Sequence, residues 1–275
     1  MPILEFNNQK ISYEDYGTGP IILLLHGSPG NSKSWDPVGK RLADRFRVIA
    51  PDLPGYGETS PQSMEDPPEV GYASLLIEEL IRKVGVPQIM AGYSYGGVVA
   101  LNLASRGGLP LQRLILFEPV ALKILPVAGE DEAFRKAGFV FEDYIGSFEK
   151  GDQRAVRKMI DFWFGVGAFD KFPSPLVSYL VKETPSNIRD VQATFRESYS
   201  SDTLQRIGFP VEVIVGDHSP EITLRIGQAI VHLVRTGRLG IMKGANHAMI
   251  TTHVDAVVRI IGDRGTQEFI GEPLL

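Results

Sequence analysis

The sequence QIMAGYSYGG, residues 88–97, decides how the rest of the chain is read. A short apolar run (Ile89, Met90, Ala91) meets Gly92-Tyr93-Ser94-Tyr95-Gly96, and small and apolar residues at helical spacing follow (Val98, Val99, Ala100, Leu101). The pattern predicts a strand, a sharp turn and a helix, with Ser94 at the apex. Glycines two residues to either side suit a tight turn with no room for a Cβ. A serine placed there stands above the sheet edge, over the positive end of the next helix. Alone, the pentad also fits a glycine-rich loop whose serine merely caps a helix. The surroundings decide.

Before this stretch, Pro20–Leu25 (PIILLL) is a continuous apolar run, as expected of a strand buried on both faces. The loop His26-Gly27-Ser28-Pro29-Gly30 and a helix over 34–45 follow it. Phe46–Ala50 reads as a strand ending in the turn-rich PDLPGYG, residues 51–57. At the start, Ile3–Phe6 and Lys10–Tyr16 alternate around Asn7-Asn8, which predicts an antiparallel hairpin. Tyr72–Val84 carries apolar residues at helical spacing. After the turn, Leu111–Phe117 reads as a strand. From 119 to 207 the pattern becomes aromatic and charged residues at helical spacing, broken by Gly and Pro. Strand and helix then alternate again: Val211–Val215, Glu221–Val234, Arg238–Met242 and His253–Ile261. Such alternation means a mainly parallel sheet covered by helices on both faces.

Composition narrows the function classes. The 275 residues are 43% hydrophobic and carry a formal net charge of −5, which offers no basic surface for nucleic acid. No cysteine is present, so thiolate chemistry and disulfides are excluded. The start, MPILEFNNQK, lacks the features of a signal peptide, and no apolar run is long enough to span a bilayer. A cytoplasmic protein without membrane contact is the expectation, its oligomeric state open. No metal-ligand spacing such as H-E-x-x-H occurs, and no cofactor is expected.

Four motifs in order (HGSPG at 26–30, DLPGYG at 52–57, GYSYGG at 92–97 and GANH at 244–247) resemble the α/β-hydrolase family over nearly the whole chain. The resemblance implies an eight-stranded, mostly parallel sheet. It divides the chain into a core, 1–118 and 208–275, and a helical cap, 119–207, inserted after strand six. A serine hydroxyl needs a base, and the resemblance puts His247, just beyond the last strand, in that role. His26 is expected to order the HGSPG loop; His218, His232 and His253 read as surface or core residues. Developing negative charge needs fixed donors. By resemblance these are the backbone N–H groups of Ser28 and Tyr95.

The acid that would orient His247 departs from the common family pattern, which places it after strand seven, three residues beyond a glycine. Gly216 plus three is Ser219, which carries no charge. Asp217 lies close by, at a position often acidic without a catalytic role. Glu118, at the end of strand six, occupies the place where some haloalkane dehalogenases carry their acid, and a carboxylate ending an apolar strand is costly unless paired. Glu118 is the expected acid, Asp217 its alternative. Dehalogenases and epoxide hydrolases of this fold use an aspartate where this chain has Ser94, and Ser28 and Tyr95 stand where halide ligands would be. Trp163, within an aromatic-rich stretch, and Trp35 are candidates to line a substrate pocket, although Trp35 fits a packing role equally well. The expected activity is hydrolysis of small, mostly apolar esters or related acyl compounds through an acyl-enzyme. Carbon–carbon hydrolysis, perhydrolysis and a ligand-binding receptor are the alternatives.

Overall fold

The computed structural model describes residues 1–263; residues 264–275 of the expected core segment lie outside the described residues. Strands β1 (Ile3–Phe6) and β2 (Gln9–Tyr16) form the hairpin, and Asn7 and Asn8 both take positive φ (47° and 62°), as a two-residue turn matching strand twist requires. Then come β3 (Ile21–Leu25), β4 (Arg47–Pro51), β5 (Ile89–Tyr93), β6 (Arg113–Phe117), β7 (Val211–Gly216) and β8 (Gly237–Met242). They pair in the order β1-β2-β4-β3-β5-β6-β7-β8, antiparallel only at β1–β2 and β2–β4. β5, which leads to Ser94, therefore lies between β3 and β6.

The helices are α1 (Asp36–Leu42), α2 (Val70–Val84), α3 (Tyr95–Arg106), α4 (Ile124–Val127), α5 (Asp131–Glu149), α6 (Val156–Phe164), α7 (Ser174–Lys182), α8 (Thr184–Arg196), α9 (Ser201–Gln205), α10 (Glu221–Leu233), α11 (Met249–Thr252) and α12 (Val254–Gly262). The expected helix over 34–45 is a 3-10 turn, Ser32–Trp35, and then a shorter α1 whose second residue is Pro37. Proline fits there because its missing N–H would have no partner within the helix. The short α11, ahead of α12, has no counterpart in the sequence reading.

The unbroken apolar strands serve two cores at once. Along β3, Leu23 and Leu25 point into one cluster, and Ile22 and Leu24 into the other. β6 does the same, with Leu114 and Leu116 opposite Ile115 and Phe117. One cluster is closed by α2, α3 and α10, the other by α1 and α12. A buried side chain of this size contributes about 1.5–3 kcal/mol, so the central strands are costly to displace. The helices between β6 and β7 share the first cluster: Tyr144, Met159, Trp163 and Leu180 pack into it with the strand residues. The segment above the strand ends is thus anchored to the same core. No helix among the described residues is long and apolar enough to cross a membrane.

Candidate active site

Ser94 stands alone between β5 and α3, with φ 53° and ψ −118°. A residue with a Cβ is strained there, and its neighbours hold it in place. Ser94 N–H donates to Phe117 O (3.0 Å), and Gly97 N–H to Ser94 O (2.9 Å). A Cβ on Gly92 would lie 2.4 Å from Gly96 O, and one on Gly96 would lie 2.4 Å from the carbonyl oxygens of Leu25 and His26. Only glycine permits β5, α3 and the loop after β3 to approach so closely.

From Ser94 a hydrogen-bond chain runs through His247 to Glu118. Ser94 Oγ lies 3.1 Å from His247 Nε2, and His247 Nδ1 lies 2.8 Å from Glu118 Oε2. A carboxylate only accepts, so Nδ1 carries the hydrogen and the Nε2 lone pair faces the serine. Glu118 is fully buried (0% exposed) and has a positive φ of 46°. Its Oε1 accepts from Gly216 N (2.7 Å) and Ser219 Oγ (2.6 Å). Three donors thus compensate a buried charge that would otherwise be costly. Ser219, standing where the common pattern has the acid, donates to Glu118 instead. Asp217 does not bond to the imidazole; its Oδ1 accepts from Gly244 N (2.7 Å) and closes the loop that carries His247.

The imidazole is clamped on its faces as well. Trp163 stacks on it at 5.3 Å and 18°, Phe164 meets it edge-on at 5.2 Å, and Tyr93 lies 5.3 Å away and donates its hydroxyl to His247 O (2.6 Å). The sequence reading missed Phe164 and Tyr93 in this role. Trp35 is a correction: it does not face the cavity but is fully buried among the second core's residues, edge to face with Phe117. The short 3-10 turn points its indole beneath the sheet. Trp163, by contrast, lines the cavity.

The loop after β3 is fixed by His26, whose Nδ1 donates to Gly27 O (2.8 Å) and whose Nε2 accepts from Leu53 N (2.8 Å). Burial pushes its pKa down to about 4, so the ring stays neutral and can keep both bonds. Asp52 ties the same two loops, accepting from Ser32 N (2.8 Å) and Ser12 Oγ (3.1 Å). The backbone N–H groups of Ser28 and Tyr95 enter no hydrogen bond among the described residues; Tyr95 opens α3, where the first amides have no helical partner.

Above Ser94 lies a cavity whose walls are mainly apolar (Val120, Leu122, Phe141, Met159, Trp163, Phe195). One side is polar and comes from α8. Tyr144 Oη donates to Asn187 Oδ1 (2.8 Å), Asn187 Nδ2 donates to Ser28 Oγ (2.8 Å), Ser28 Oγ lies 2.8 Å from Tyr56 Oη, and Tyr56 donates to Asp190 Oδ2 (2.6 Å). Burial pushes the Asp190 carboxyl up to about 7, opposed by hydrogen bonds from Ser28, Tyr56 and Tyr95 and by the charge of Arg189. The Tyr56 and Tyr95 phenols are themselves pushed well up by burial and by Asp190. Asp190 and Tyr95 also border a second cavity beside Arg189, so Asp190 keeps some accessible surface although its carboxyl is enclosed. Asn187 and Asp190 went unread in the sequence. Their spacing of three residues on an amphipathic helix was the available signal.

A serine at a strand–helix elbow, a buried imidazole on its hydroxyl and a buried carboxylate behind that define a site able to activate an oxygen nucleophile. The chain belongs to the alpha/beta hydrolase family: residues 22–260 match that family's profile. An uncharacterized protein of Mycobacterium bovis is 36% identical over 119 residues, which cover 42% of this chain and only 34% of that protein's length. The pimeloyl-(acyl-carrier protein) methyl ester esterase of Neisseria meningitidis is 23% identical over 244 residues, covering 88% of this chain and 92% of that protein. Among solved structures, an esterase from Exiguobacterium antarcticum superposes with a TM-score of 0.73 at 19% identity, covering 93% of this chain and 96% of the other.

Proposed function

We propose that the protein hydrolyses small, mostly apolar carboxylic esters through an acyl-enzyme, with Ser94 as nucleophile, His247 as base and Glu118 as the acid that orients it. The observation that carries this reading is the unbroken chain from Ser94 Oγ to Glu118 at the floor of an apolar cavity. Ser94 Oγ attacks the ester carbonyl as its proton passes to His247 Nε2, and the carbonyl oxygen becomes an alkoxide facing the N–H groups of Ser28 and Tyr95. When the carbon–oxygen double bond re-forms, the alcohol leaves with the proton from His247. Water, deprotonated by the same nitrogen, then releases the acid. Glu118 keeps the Nδ1–H tautomer and stabilises the imidazolium between these steps. The relative named as a methyl ester esterase supports the bond type. Residues 119–207 act in this reading as the cap that excludes water and sets substrate shape.

The test is active-serine labelling with a fluorophosphonate, read beside turnover of p-nitrophenyl butyrate. The wild type is expected to label at Ser94 and turn over, and Ser94→Ala to do neither. A wild type that neither labels nor turns over defeats the reading and leaves a binding protein of the same fold.

A further inference from the structure

Tyr144 has one hydroxyl hydrogen and gives it to Asn187 Oδ1, and Asn187 spends its amide on Ser28 Oγ. Tyr56 gives its hydrogen to Asp190 Oδ2, so the one Ser28 hydroxyl hydrogen goes on to Tyr56 or to Asp190 itself. All the hydrogens in this chain point one way and run out at Asp190. A carboxylate offers about four acceptor positions; the Tyr56 and Tyr95 phenols and the Ser28 hydroxyl account for at most three, which leaves one on a residue that lines the cavity. Among the described residues lining the cavity, Asp190 is the one that carries a formal charge. A clamp on the Ser28 loop needs no such group, since the Asn187 amide already holds Ser28. Nor would a cavity for plain alkyl chains retain a carboxyl whose enclosure is costly.

We propose that Asp190 is the substrate-recognition residue of this cavity, taking a hydrogen bond from a hydroxyl on the substrate, so that hydroxylated esters are preferred over plain alkyl ones. The inference rests on the ester reading for the bond cleaved, but the recognition itself is a binding property.

The test measures binding in the Ser94→Ala protein by calorimetry, with methyl hexanoate, methyl 3-hydroxyhexanoate and methyl 6-hydroxyhexanoate as probes. At least one hydroxy ester is expected to bind about tenfold more tightly than the parent, the scale of one hydrogen bond to a charged group. Adding Asp190→Leu is expected to bring that ratio to about one. Asp190→Asn, which keeps a carbonyl acceptor and nearly the same shape, should give an intermediate ratio and answers the question should the leucine protein not fold. The proposal is overturned if neither hydroxy ester binds more tightly than methyl hexanoate, or if the ratio survives the Asp190 substitutions. Fluorophosphonate labelling of the wild type is read separately. No label with the ratio intact puts the fault in the hydrolase reading, and a label without the ratio puts it in the recognition.

Discussion

Two hydrogen-bond chains meet at the cavity, and they are built differently. The first, Ser94–His247–Glu118, stands on the ends of β5, β6 and β8, and its members are fixed by strand register and by glycines that admit no side chain. The second, Tyr144–Asn187–Ser28–Tyr56–Asp190, spans from the inserted helices to the loops after β3 and β4 and fixes its members by mutual hydrogen bonds. Sheet register resists local change because shifting one strand disturbs every partner. A chain of side chains fails at any link, and its members share their losses. The first chain is suited to chemistry that tolerates no misplacement. The second is suited to recognition, and to coupling the helices above the site to the loop that carries the Ser28 N–H.

The sharpest way to break the comparison is at the acid. Glu118→Gln keeps the side chain's shape but places an amide against His247 Nδ1, which favours the wrong tautomer. Turnover of p-nitrophenyl butyrate is expected to fall on the order of 10³-fold or more, as for other triads whose acid becomes an amide. Asp217→Asn should stay within about threefold, because Asp217 serves only the Gly244 amide and an exposed hydrogen bond of this kind contributes about 1 kcal/mol. Steady-state kcat/KM of both variants decides it, and the reverse ranking would move the acid to Asp217.

The first chain was legible in the sequence because each member is marked by its backbone. The elbow's glycines, the apolar run ending in Glu118 and the loop after the last strand are periodic or steric signals. Even the departure at Ser219 could be read there, although not its outcome as a donor to Glu118. The second chain left little trace. Tyr56 lies in a quoted motif without any feature that marks its hydroxyl, and Asn187 and Asp190 sit on a helix whose polar residues resemble a solvated face. Only the packing of α8 against α2 and α3 turns that face inward. Trp35 failed for the same reason: an aromatic near a site can point above or below the sheet, and one short 3-10 turn decides which.

A smaller effect sharpens the proposed coupling. Asn187→Leu removes the amide that holds Ser28 Oγ and leaves the HGSPG loop tied through His26, Tyr56 and Tyr179. If α8 positions the Ser28 N–H, the loss falls on the transition state, where that donor meets the alkoxide. The expected result is a kcat about tenfold lower with KM within about twofold. A purely structural link would instead lower Tm and leave kcat at low temperature unchanged.

The smallest effect concerns protons. Asp190 binds its proton up to about pH 7 when folded, against an ordinary carboxyl value of 3.8. Between about pH 4 and 7 the folded chain therefore holds a proton that the unfolded chain has released. By linkage its contribution to stability is fully present below that window and is lost as pH rises through 7. The groups facing it are the Ser28 hydroxyl, the Arg189 charge and the Tyr56 and Tyr95 phenols, and both phenols are pushed well above their ordinary range, away from this interval. Asp190→Asn has no proton to lose, and every other titration is common to both chains. The difference in Tm, variant minus wild type, should accordingly rise by about 5 °C between pH 5 and pH 8, since about two pH units of linkage amount to about 2–3 kcal/mol. A difference that stays flat across that range would mean the carboxyl ionises as it does in water, and the second chain would then end on a permanent charge.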